Sequence, residues 1–240
     1  VSVSSIKGIF KELKSKKIKF GVVPIENSSN GIVNDTINGF TNYDSKIVAE
    51  VILNIHHTLA TTCDKISDIK KIYSKDIAFD QCRKFLTNFG LDEVELIPVE
   101  STTKAAKLAA NEANSAAICP HVAAKLYNLP ILFENIEDKD NNKTRFFILS
   151  DFENAPSGND KTSILVNLPD EQGGLVKFLN DFNNAGINLT KIKSHIVEGN
   201  SIFFIDFDGH KDDENVKKVL EKHKPSVKIL GSYVKEIKDI

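Results

Sequence analysis

The chain has 240 residues, 41% hydrophobic and 27% charged, with 31 basic and 33 acidic residues mixed along it for a net charge of −2. That is the balance of a globular protein long enough for two compact domains or one large one. It argues against a nucleic-acid groove or a membrane surface, and no apolar run approaches the roughly 18 residues of a membrane span.

In chain order, "IKGIFKELKSKK" places apolar residues at 6, 9, 10 and 13, a helical face. "IKFGVVPI" reads as a strand, and "NGIVNDTINGF" as a helix opening near Ser28 or Ser29. "SKIVAEVILNIHHTLA" is strand-like, "ISDIKKIYS" gives a short strand after Asp68, and "AFDQCRKFLTNF" is a helix with Gly90 as its C-cap. "EVELIPVE" is a strand, "STTKAAKLAANEA" a helix behind a run of N-cap residues, and "SAAICP" a short strand. "HVAAKLYNL" (helix) and "TRFFILS" (strand) follow. This alternation predicts a mostly parallel α/β sheet with helices on both faces. "DFENAPSGND", 151–160, is a linker by its Pro, Gly, Asn and Asp content. Beyond it "TSILVNL", "GGLVKFLNDFNNAG", "INLTKIKSHIV", "SIFFIDFDG", "ENVKKVLEKHK" and "VKILGSYV" read as βαββαβ, a ferredoxin-like second domain with Gly186 capping its first helix.

Three segments, "PIENSSNG", "YSKDIAFDQC" and "VESTTKAA", set Ser, Thr, Asn or Gln where a strand hands over to a helix. Ligands of open α/β sheets bind at such carboxyl ends, and free N–H groups at helix starts favour an anion. "NNKTRFF" adds an arginine, Arg145, able to clamp a carboxylate with two parallel hydrogen bonds. Thr144 faces away from it if the segment is extended, and lies beside it if still in the turn. Together these predict a small anionic ligand held between helix starts and an arginine. No acid–base pair, nucleophile–histidine pair or phosphate loop is evident, and Glu26 is the one carboxylate in a candidate ligand loop. Cys63, Cys82 and Cys119 are far apart and odd in number, which argues for a reducing compartment and against a disulfide framework. The six histidines lack metal-binding spacing, so no metal is expected; His56 and His57 would face opposite sides of a strand.

"GVVPIENSSNGIVNDT", "HHTLA", "YSKDIAFDQCRKFL", "VESTTKAAKLAA" and "NIEDKDNNKTRFFIL" have the order and spacing seen in prephenate dehydratases, and the chain resembles that family from about Ile6 to Tyr233. "KTSILVNLPDEQGGLVKFLNDFNNAGINLTKIKSHI", "FFIDFDGH" and "ILGSY" resemble the regulatory ACT domain those enzymes carry. The resemblance implies a catalytic part over 1–155, folded like a periplasmic solute-binding protein with lobes of about 1–57 plus 125–150 and of 58–124 around a cleft, and an ACT domain over 160–240. It implies decarboxylative dehydration of prephenate to phenylpyruvate in phenylalanine biosynthesis, in the cytoplasm and without a cofactor, since aromatisation drives the reaction. Thr144 is the residue expected to assist hydroxyl departure by a strong hydrogen bond. Glu26, Asn27, Ser28, Ser74, Gln81, Ser101, Thr102, Arg145 and Phe146 are the expected substrate contacts. A carboxylate at Glu26 repels a dianionic substrate unless it is protonated or turned away.

In the ACT part the resemblance implies a phenylalanine site at Gly173, Gly174, Leu175, Asn188, Leu189 and Ser194, with feedback inhibition and a homodimer or homotetramer. The chain departs from the family at Lys75 and Asp76, where relatives often have His-Pro. It departs again at Lys193-Ser194-His195-Ile196, where only the serine of Glu-Ser-Arg-Pro is kept. It opens on valine and contains no methionine, so its natural start, a first strand with a GxxGTFS-like loop, is expected upstream, and a chorismate mutase domain can precede it in some relatives. The competing reading is a non-catalytic two-lobed sensor of a small carboxylate.

Overall fold

The computed structural model describes residues 3, 5–28, 31–139, 141–169, 171–197 and 200–235, leaving aside the side chains of 197 and 200. It divides into two compact units, Val1–Leu53 with Lys143–Ile240, and Asn54–Asn142.

The chain starts with α1 (Ile6–Lys14), capped by the Ser5 hydroxyl, which accepts from Gly8 N, and burying Phe10 and Leu13. β1 (Gly21–Asn27) follows, then the two-residue β2 (Gly31–Ile32) and α2 (Asn34–Asn42). The expected helix start near Ser28 is corrected to Asn34. The Ser28 hydroxyl accepts from Lys143 N instead of capping a helix (Ser29 lies outside the described residues). β3 (Lys46–Asn54) leads into the second unit. There β4 (Thr58–Thr61) is a separate strand, with the break at His56 and His57.

The second unit continues with β5 (Lys71–Ser74), α3 (Asp76–Gln81), α4 (Arg83–Asn88), β6 (Glu95–Pro98), α5 (Thr102–Ala109), β7 (Ser115–Cys119), α6 (His121–Leu126) and β8 (Ile131–Glu134). The expected helix over 78–89 is two short helices broken at Cys82, and Gly90 closes the second at φ 65°. The sheet order is β6-β5-β7-β4-β8. β5 runs parallel to β6 and β7, whereas β4 is antiparallel to β7 and β8. The expectation of a mostly parallel sheet therefore fails here. α6 carries the chain from β7 to β8 in the usual crossover, but β4 inserts between them in the opposite direction. Unread in the sequence, β8 pairs with β4 and keeps the chain in this unit to Asn142, so the return crossing lies there and not near Ala124. Period-2 alternation sends Leu59, Ile72, Ala116 and Ile118 to one core, and Ala60, Tyr73, Ala117 and Cys119 to the other.

β9 (Lys143–Ser150) returns to the first unit, where the sheet order is β2-β1-β9-β3 and β1 pairs antiparallel with β9. The remaining elements are β10 (Asp160–Asn167), α7 (Gly174–Asn184), β11 (Leu189–Val197), β12 (Asn200–Asp208), α8 (Glu214–Lys222) and β13 (Val227–Val234). They form the expected βαββαβ unit, an antiparallel sheet in the order β11-β12-β10-β13. One sheet face packs with α7 and α8 through Ile164, Phe178, Phe182, Ile205 and Val216. The other contributes Leu165, Phe204, Leu230 and Tyr233 to a core shared with Phe10, Phe40, Ile47 and Phe147 of the amino-terminal part. The first unit thus has a continuous apolar seam between its two sheets. Among the described residues no helix is long and apolar enough to cross a membrane.

The seam is tight at Gly231, where an added Cβ would collide with the backbone carbonyl and amide of Ile47. Neither backbone can yield without breaking strand pairing. Gly231→Ala is expected to lower stability by about 2–3 kcal/mol, within the range for an overpacked core, as measured by urea unfolding; unchanged stability would refute the close contact.

Candidate active site

The two motif strands meet in register, Asn27 opposite Thr144 and Glu26 opposite Arg145. Successive strand residues point to opposite faces, so each motif divides its labour. On one face Asn27 Nδ2 donates to Thr144 Oγ1 (2.9 Å) and to the Lys143 carbonyl (3.3 Å). Ser28 locks the corner, its N–H donating to Lys143 O and its hydroxyl accepting from Lys143 N, both at 2.9 Å. Thr144 is 9% exposed. Having accepted from an amide, its hydroxyl oxygen keeps its own proton to donate. Phe146, half-buried, shares this face two residues on.

Arg145 points the other way, which corrects the expectation that it clamps a substrate carboxylate. The residue is 7% exposed, and its guanidinium is held by two acids and a tyrosine of its own chain. Nε and Nη2 reach Glu50 Oε2 at 2.7 and 2.6 Å, Nη1 reaches Asp206 Oδ2 at 2.5 Å, and Nη2 donates to the Tyr233 hydroxyl at 2.9 Å. Lys161 Nζ holds the second Glu50 oxygen at 2.6 Å, and the Ser163 hydroxyl donates to Asp206 Oδ1 at 2.6 Å. Burial disfavours the charged guanidinium, but the Tyr233 hydroxyl and the Asp206 and Glu50 carboxylates outweigh it and raise its pKa. Glu50 shows the mirror case: burial pushes its pKa up, yet Arg145 and Lys161 bring it below the usual carboxylate range. Glu26 is likewise held within the chain, ion-paired with Lys191 on β11.

In the second unit Ser74 and Ser101 stand at the carboxyl ends of the parallel pair β5 and β6, where Ser74 aligns with Pro98. Ser74 is fully buried and donates to the Ile118 carbonyl at 2.7 Å, so it ties β5 to β7 and offers no open hydroxyl. Ser101 is exposed and caps α5, its oxygen accepting from Lys104 N at 3.1 Å, with Thr102 as the first helical residue. Gln81 ends α3, and its Oε1 accepts from His57 Nε2 at 2.8 Å. That bond fixes the amide orientation and leaves the Gln81 NH2 as donor. His57 is set in turn by Glu137, which accepts from its backbone N–H (2.8 Å) and from His56 Nδ1 (2.6 Å). The two buried cysteines are poor nucleophiles; burial pushes the Cys119 thiol up to about 11.

Of the candidate effector residues, Gly173 starts α7 from φ 79°, followed by Gly174 and a half-buried Leu175. Asn188 donates to Asp208 Oδ2 at 3.0 Å just ahead of Leu189, and Ser194 is exposed farther along β11. Sequence reasoning missed Glu50, Asp206, Lys161 and Tyr233. The signal was present: a lone acid inside "IVAEVIL" or "FFIDF" requires a buried cation.

Because Glu50 has a depressed pKa, its contribution to stability is complete above the unfolded-state value near 4.5 and is lost as pH falls through the lower folded value. Urea midpoints are expected to hold from pH 7 to 5 and to drop below about pH 4. Glu50→Gln should cost about 3 kcal/mol at pH 7 and make the acid-side fall shallower; an unaltered midpoint would contradict the network.

Residues 1–154 match the family model of prephenate dehydratase, and residues 162–224 match that of the ACT domain. A bifunctional chorismate mutase/prephenate dehydratase of Aquifex aeolicus is 40% identical over 98% of this chain and 66% of its own length. A prephenate dehydratase of Methanocaldococcus jannaschii is 39% identical over 96% of the chain and 86% of its own length. The crystal structure of prephenate dehydratase from Arthrobacter aurescens in complex with L-Phe superposes with a TM-score of 0.89 at 30% identity, over 98% of this chain and 81% of that one. The chain therefore spans 66% of the bifunctional relative and most of the monofunctional one. The Thr144 and Asn27 pairing, the α/β scaffold and these matches agree, and the chain belongs to the prephenate dehydratase family, with a carboxy-terminal ACT domain.

Proposed function

We propose that this chain converts prephenate to phenylpyruvate, carbon dioxide and water, and that phenylalanine bound to the ACT domain lowers the rate. The reading rests first on the Asn27 to Thr144 hydrogen bond, which orients a hydroxyl with its proton available. As the ring carboxylate leaves as carbon dioxide, its bonding electrons enter the ring, which becomes aromatic while the C4 oxygen departs. Thr144 donates a hydrogen bond to that oxygen as negative charge grows on it. Full proton transfer from an ordinary alcohol is unfavourable, so stabilisation of the departing oxygen, completed by water or solvent protons, is the role proposed.

Asn27 and Ser28 hold Thr144 in place, and Phe146 offers an apolar surface to the ring. Within the second unit, Gln81, through its NH2, and the Ser101–Thr102 start of α5, through its backbone N–H groups, are proposed as donors to a carboxylate. Ser74, Glu26 and Arg145 support this set without touching substrate. No step needs a cofactor. A cytoplasmic setting agrees with the three free cysteines. Assembly through the ACT part into a dimer or tetramer is supported by Ile192 and Ile196, 42% and 71% exposed on the edge strand β11. A non-catalytic sensor is the less favoured reading, since curated relatives matching nearly the whole chain carry dehydratase names.

Mixing the protein with prephenate at neutral pH and reading phenylpyruvate absorbance in alkali tests this. Thr144→Ala should lose at least about 100-fold in kcat with KM within about threefold, and wild-type turnover in that variant would refute the assignment. Titration calorimetry with phenylalanine should give saturable heat accompanied by inhibition; neither heat nor a change in rate would remove the regulatory claim.

A further inference from the structure

Two adjacent sheets of the first unit present charged cross-strand pairs to each other. On β1 and β9 the pair is Glu26 opposite Arg145; on β11 and β12 it is Lys191 opposite Asp206. The signs are complementary in both directions: Glu26 meets Lys191, and Arg145 meets Asp206 at 2.5 Å. Both pairs sit beside an irregularity. The β1 register shifts between Pro24 and Glu26, and the β11 register between Leu189 and Lys191. Without the first shift Glu26 would share the face of Pro24 and Phe146, and its charge would miss the facing sheet.

We infer that Glu26 and Arg145 are positioning residues through which the ACT sheet sets the place of Thr144. Arg145 follows Thr144 directly on β9, and Glu26 precedes Asn27 directly on β1. The residues tied to the ACT sheet and the residues that orient the hydroxyl are therefore neighbours on the same two paired strands. A shift of Lys191 or Asp206 pulls on the strand pair through these ion pairs, with no loop in between. Four charges that match in only one register also resist sliding, since any slip brings like charges together or leaves a buried one unpaired. The Glu50 to Lys161 ion pair and the Tyr233 hydroxyl hold the same joint from β3, β10 and β13. Lys191 lies on β11 between Leu189 and Ser194, so an occupant of the proposed effector site would act on the strand that grips Glu26.

This inference rests on the dehydratase reading, and the test separates the two. Lys191→Met, at a side chain 24% exposed, and Asp206→Asn are made in the full chain, with kcat and KM for prephenate measured beside hydrogen exchange of residues 143–150. Both variants should keep KM within about twofold and lose about tenfold in kcat, because misplacing a catalytic group costs rate more than binding. Exchange across 143–150 should quicken, while 115–119 in the second unit exchanges as in the wild type. Wild-type kcat and exchange in two folded variants would overturn the inference. So would a raised KM at constant kcat, which would return Glu26 and Arg145 to substrate binding. If the wild type yields no phenylpyruvate, the dehydratase reading fails by itself, and exchange at 143–150 decides the mechanical coupling.

Discussion

A guanidinium buried among apolar side chains constrains the whole first unit. Arg145 lies over the Phe147 ring, 4.7 Å from its centroid, inside the seam built from Phe204, Leu230 and Tyr233. A charge there is stable only with its counter-charges in place, and these come from different strands: Glu50 from β3 and Asp206 from β12. The amino-terminal sheet and the ACT sheet thus cannot part without exposing an apolar seam and stranding several charges together. Hydrophobic contact supplies most of the adhesion, while the ion pairs fix the register at which the sheets meet.

That register gives the short motifs their meaning. In an extended strand neighbouring residues never share a face, so the Thr144–Arg145 pair and the Glu26–Asn27 pair each have one member on the face proposed for chemistry and one facing the ACT sheet. On the proposed reading a carboxylate at Glu26 does not confront a dianionic ligand, because Lys191 holds it toward the ACT sheet. Arginine also serves here better than lysine would, since its planar fork satisfies two carboxylates and a phenol at once. On the same reading the substrate's negative charge falls instead to neutral donors, helix-start N–H groups and an amide, which bind an anion without needing a buried partner of their own.

Much of this could be read from the residues, and the failures have identifiable causes. The ferredoxin-like domain was legible because its apolar runs are separated by turn residues and Gly186 ends α7 at φ 67°. The Ser101 cap was legible because hydroxyl residues before a run of helix formers have few other uses. Strand direction in the second unit was not, since β4 arrives from the other unit and no local crossover dictates its sense. β8, four residues long, was too short to give a periodic signal. The site was legible in identity but not in facing. Thr144 and Arg145 were found together, yet their opposite orientation depends on the β9 pairing, and the partner acids lie 61 and 95 positions away in sequence.

On the proposed reading β9 has two faces, Thr144 toward the substrate and Arg145 toward the ACT sheet. An experimental structure with a non-reacting prephenate analogue that keeps the C4 hydroxyl would decide it. The account predicts that hydroxyl at hydrogen-bond distance, about 2.7–2.8 Å, from Thr144 Oγ1, with Arg145 still on Glu50 and Asp206. An Arg145 side chain swung off Asp206 to hold a carboxylate of the analogue would contradict it.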